Sequence, residues 1–218
     1  MLGIREKLSF GFGGLLLIII VIGIQSILQL TTLGQSIDII LRENYRSVIA
    51  SQQMKESLER MDSGALFTLL GDTDQGEGLL AINKSLFEEA LQLELNNLTL
   101  PGEAERAMSI RDLFIRYKAA LQDVRDASLS QENRRREYFT KLLPLFHQIK
   151  NLADEILQMN QQNMIDANDR ARTTAATARH RMYMLLFCGV VVAVLFIFSS
   201  QRWILRPINR LIRSTDEI

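Results

Sequence analysis

The chain has 218 residues, 25 lysines and arginines against 25 aspartates and glutamates, and so no net charge. A neutral chain lacks the basic footprint that a phosphate backbone selects, and no nucleic-acid partner is expected. One cysteine, Cys188, excludes an intrachain disulfide and a cysteine metal site; three prolines among abundant Leu, Ile, Ala, Gln, Glu and Arg favour helix throughout.

Residues 1–7 carry Arg5 and Lys7, and a charge-free run follows from Leu8 to Ile37, densest over Phe10 to Ile24. The run outlasts a signal-peptide h-region, and no A-x-A-like site follows it at Gln25 to Leu28. Residues 8–28 therefore read as an uncleaved first transmembrane helix. Residues 29–181 read as an extracytoplasmic domain of four helices. In the first, Leu30, Leu33, Ile37, Ile40, Asn44, Ser47, Ser51, Met54, Leu58, Met61, Ala65 and Thr68 recur at alternating steps of three and four, a heptad seam. Gly71 is placed to end it, with a turn predicted over Asp72 to Gly76.

The second helix is predicted over Glu77 to Leu98, marked by Leu80, Phe87, Leu91 and Leu95 and broken by Pro101-Gly102. The third is predicted over Glu103 to Ala127, with Met108, Ile110, Leu113, Phe114, Tyr117 and Leu121 inward and Glu103 and Glu105 suiting its N-terminal dipole. The fourth starts near Gln131. Pro144 inside it predicts a kink, or an end and a restart. Its seam runs Leu145, Ile149, Leu152, Ile156, Met159, then passes by an offset of one residue to Ala153, Leu157, Asn160, Met164, Ala167, Ala171, Thr174 and Ala178.

No glycine or proline interrupts Asn151 to Cys188, so this helix is expected to continue into residues 182–201, a charge-free stretch fenced by Arg181 and Arg202. About 20 residues at 1.5 Å rise span about 30 Å, the thickness of a hydrocarbon core. Residues 202–218 are a basic exit with Arg202, Arg206, Pro207, Arg210 and Arg213. Cations flank both spans on their short sides, which puts both termini in the cytoplasm and residues 29–181 outside it. The localisation that follows is the inner (plasma) membrane, with the lipid bilayer as a partner; in a Gram-negative cell the outer space is the periplasm.

Counted from the outer membrane face, Asn44, Ser47 and Ser51 fall level with Asn160, Asn163 and Asp166, about 20–30 Å above the bilayer. Arg42 and Arg46 lie on the adjacent surface, and Asp169 and Arg170 one turn lower. The layer reads first as a register device, in which polar seam residues fix pairing. A second reading makes Arg42, Asn44, Arg46, Ser47, Asn163, Asp166 and Arg170 a ligand site for an anion. Asp72, Asp74 and Glu77 do not make a calcium loop, because Gly76 stands fifth rather than sixth. His147 and His180 lack ligand partners at i+3 or i+4. With no glycine-rich phosphate loop and no nucleophile beside a base, no catalytic residue, metal or cofactor is expected within these residues.

The exit RPINRLIRSTDEI resembles the first helix of a HAMP linker, with its Pro-x-x-x-Leu signature on Pro207 and Leu211. The outer region resembles the four-helix-bundle sensor domain of chemoreceptors and sensor histidine kinases. Leu41 to Asp62 and Asn96 to Glu103 look more like the kinase branch. The resemblance implies an all-α, up-down-up-down bundle whose first and fourth helices continue into two transmembrane helices. It also implies a homodimer, a small extracytoplasmic ligand or partner protein, and a response regulator downstream of a kinase domain past Ile218. Trp203, Pro207 and Leu211 would couple the second span to the HAMP helix, with Trp203 as an interfacial anchor. Two alternatives stand beside the kinase input: a chemoreceptor with the same input architecture, and a membrane-anchored helical scaffold.

Overall fold

The computed structural model describes residues 4–200. These form helix α1 (Ile4–Leu70), α2 (Thr73–Leu95), α3 (Glu103–Arg125), α4 (Gln131–Glu137), a π-helical turn (Tyr138–Leu142) and α5 (Leu143–Ser200), with no strand among the described residues. They divide into two compact units, one of residues 4–36 and 169–200, the other Ile37–Asn168.

In the first unit, two helices are long and apolar enough to cross a membrane. Gly11–Gln29 has mean hydropathy 2.4, and the stretch ending at Ser199 contains a window of 2.6. None of either window is buried by protein, so no core claims those side chains, which is consistent with a membrane location. The helices pair antiparallel. Phe12 meets Phe196 edge-on at 5.5 Å, Gly189 lies against Ile18, and the Ser26 hydroxyl reaches Met182 Sδ at 3.8 Å. Gly11 sits under Phe196, where a Cβ would come within 1.8 Å of the ring.

In the second unit, the α1 seam from Asn44 to Thr68 is buried at every predicted position. It faces this chain's own core of Met54, Leu58, Met61, Phe87, Phe114, Tyr117, Leu142, Ile149 and Ile156. Gly71 closes α1 at φ 97 in a Schellman arrangement: its N–H donates to Thr68 O at 3.3 Å, and the Asp72 N–H to Phe67 O at 3.0 Å. The predicted turn over Asp72 to Gly76 is shorter than expected. Asp72 is the N-cap of α2, its carboxylate accepting from the Gln75 N–H at 3.3 Å, so the helix starts at Thr73. This places Gly76 against α1, 2.7 Å from Gly64 O to a would-be Cβ.

Along α2, residues 76, 80, 83, 87, 90 and 94 are buried, a strict alternation of four and three. Along α3 the same rhythm buries residues 103, 107, 110, 114, 117, 121 and 124. Met108 falls off that stripe and is 47% exposed, contrary to its predicted inward position, because Ala107 holds the place. Phe87 and Phe114 stack at 4.0 Å and join the two helices. Pro101 and Gly102 turn the chain, with Gly102 at φ 83 preceding α3.

Pro144 stands in the first turn of α5, where α4 has ended and the α-helix restarts. The π-helical turn precedes it, with the Leu143 N–H donating to Tyr138 O five residues back. The widened ladder takes up a proline that has no N–H of its own to give. Beyond it, Leu145, Ile149, Ala153, Ile156, Asn160 and Ala167 form one buried stripe, with Leu152 at its edge. The predicted one-residue offset is a single seam read from its two borders. Ion pairs Lys55–Asp154 and Lys150–Glu59 clamp α1 to α5, and Arg106–Glu155 clamps α3 to α5. Half-exposed pairs of this kind contribute about 0–1 kcal/mol each.

Candidate functional site

The rhythm that buries Phe87 and Ala90 carries Glu94 into the core at the end of α2, and Glu103 opens α3 on the matching face. Both carboxylates are 0% exposed. The loop between them folds back on Glu103: the N–H groups of Thr99 and Leu100 donate to its Oε2 at 2.7 and 2.9 Å. Asn160 of α5 donates to its Oε1 at 2.6 Å and to Ile156 O at 3.0 Å. Glu103 thus has the donors that a buried carboxylate needs. On the other side of the loop, Asn97 donates to Ser47 Oγ at 3.0 Å and to Glu43 O at 2.7 Å.

Glu94 is treated differently. Neither of its carboxylate oxygens has a hydrogen-bond partner. Burial, and then the charge on Glu103, push its carboxyl up to about 8, against a smaller opposing pull from Ser47. Ser51 Oγ and Asn160 Oδ1 are also buried without partners. The layer therefore holds one carboxylate well supplied with donors and one carboxyl group whose burial favours the neutral form. No cluster of three or more His, Cys, Asp or Glu able to hold a metal occurs among the described residues.

Of the residues singled out from sequence, Asn44 and Ser47 are buried within α1 and Asn160 within α5, and Ser47 and Asn160 both reach the α2–α3 loop or its flanking carboxylates. Arg42 and Arg46 are exposed on α1. Asn163 and Asp166 line a shallow depression of about 520 Å³ with Leu100, Pro101, Gln158, Met159 and Gln162, and Asp166 accepts from Gln162 at 2.8 Å. Arg170 is exposed and belongs to the other compact unit. Trp203, Pro207 and Leu211 lie outside the described residues.

In the sequence, Glu103 stands out only as a dipole partner, and neither Glu94 nor Asn97 stands out. The signal for Glu94 was its spacing from Phe87 and Leu91, which sets an acid on an apolar stripe. A second polar contact lies at the π-helical turn. Tyr138 donates to both oxygens of Asp62, at 3.0 and 3.2 Å, and burial raises the Asp62 carboxyl despite that bond. Comparison with known proteins returns no matching family model, no matching curated protein and no matching solved structure.

Proposed function

We propose that this chain is the input half of a transmembrane signalling receptor, of the kind that drives a two-component histidine kinase. In this reading, α1, α2, α3 and the α4–α5 stretch make an up-down-up-down four-helix bundle outside the inner membrane. The two apolar segments cross the bilayer, and both termini are cytoplasmic. One observation carries the proposal: α5 is a single helix, Leu143–Ser200, that bears both the buried layer at Asn160 and the second apolar segment. A change in what the layer holds alters how α5 packs, and packed helices select among discrete arrangements rather than deform smoothly. Antiparallel pairing of the apolar helices supports termini on one side.

A homodimer completes the proposal. Because the α1 seam is occupied by the chain's own core, the second copy would pair through another face, where Tyr45 and Ile49 are 54% and 44% exposed. Downstream of the HAMP helix, the output would pass to a response regulator. The test is helical phase. Inserting alanines one at a time after Ala175 in the intact receptor turns α5 by about 100° per residue and returns it near register after about four. A signalling helix gives output that rises and falls with insert length. Output indifferent to length would make the protein a scaffold.

A further inference from the structure

We infer that Glu94 and Glu103 form a proton-binding pair that holds a single proton on Glu94. Three structural facts carry this. Both carboxylates are fully buried. Glu103 receives the Thr99 and Leu100 N–H groups and the Asn160 amide, donors that suit a carboxylate. Neither Glu94 oxygen has a partner in good hydrogen-bond geometry, and only Ser47 and Glu103 stand near enough to act on it. A neutral acid there can donate to Ser47 or Glu103, the two groups that act on it, whereas an anion would sit unsolvated beside another anion.

Among the described residues, no cation acts on Glu94. Helix α1 brings Asn44, Ser47 and Ser51 to the layer, with Glu43 and Arg46 exposed on its other faces. Helix α3 brings Glu103; its nearest basic residue, Arg106, pairs with Glu155 of α5 at 2.6 Å. Helix α5 brings Asn160 to the layer. The loop brings Asn97, whose amide is taken by Ser47 and the Glu43 carbonyl.

Loss of the proton places two negative charges in the seam where the α2–α3 loop meets Ser47 and Asn160. Repulsion is relieved by moving that loop away from α1 and α5. As a stimulus for a receptor, the proton rests on the function proposed above; the binding of the proton does not.

Infrared difference spectroscopy of the whole chain in lipid nanodiscs tests the inference. Between about pH 6 and about pH 10, the C=O band of a protonated carboxyl should disappear with a midpoint of about 8. Glu94→Gln should remove that titrating band, and Glu103→Gln should move its midpoint downward by taking away the neighbouring charge. A wild-type spectrum without the band, a full band in Glu94→Gln, or a midpoint unmoved in Glu103→Gln would each overturn it. So would loss of the band on adding calcium at neutral pH, which would mark a cation site instead. If Glu94→Gln fails to fold by circular dichroism, the Glu103→Gln midpoint decides alone. Phase-independent output in the insertion series would remove the receptor while leaving the proton in place.

Discussion

Glu94 and Glu103 differ in what the backbone gives them. Glu103 stands at the start of α3, where the preceding loop turns two N–H groups inward; Glu94 stands at the end of α2, where only carbonyls are orphaned. Its carboxyl is raised from 4.5 to about 8, so between those values the folded chain binds more protons than the unfolded chain. Stability is then greatest below the lower value and falls as pH climbs through the upper one. The loss amounts to a few kcal/mol at most. Glu94→Gln should flatten that slope and leave the variant more stable than wild type at about pH 9, read from thermal unfolding across pH. Asn160→Leu should act the other way. It strips a charge-assisted donor from Glu103 and should lower stability by about 2 kcal/mol in a denaturant titration.

At the scale of elements, two glycines of α2 only two residues apart, and so on opposite faces, make opposite predictions. A Cβ on Gly76 would meet Thr68 Oγ1 at 2.3 Å and Gly64 O at 2.7 Å, so α1 and α2 would have to separate. Gly76→Ala should cost about 1–3 kcal/mol. Gly78 has nothing within 4 Å, and Gly78→Ala should add about 0.5–1 kcal/mol by removing backbone freedom from the unfolded chain. Denaturant midpoints of the pair separate a close helix crossing from helix propensity. Helix identity and most of the core were legible because the four-three rhythm survives in α1, α3 and α5 with few interruptions. The start of α2 was not, since Thr73, Asp74 and Gly76 look like turn residues until Asp72 is seen to cap them. The site was half legible. Polar breaks in the seams of α1 and α5 announced a layer, but its acids come from α2 and α3, whose ends meet only once the hairpin closes.

Across the whole molecule, the apolar surface is unevenly disposed of. Residues 37–168 gather a buried core and expose apolar side chains singly, whereas Leu186, Phe187, Leu195 and Phe198 remain 59–69% exposed along α5. So large an apolar surface on a chain of zero net charge needs a cover, and lipid fits both its length and its all-round character. The single cysteine reports on this directly, because Cys188 lies on an exposed face of that stretch. Maleimide attack requires thiolate and water, both scarce in hydrocarbon. In sealed membranes a polar maleimide should label Cys188 at least about tenfold more slowly than after solubilisation in denaturant. Thr173→Cys, in a Cys188→Ala background, should label readily without it, since that position is exposed and precedes the apolar window. Equal labelling of Cys188 in both conditions would mean that protein or water, not lipid, covers the helix, and the transmembrane reading of α5 would fall with it.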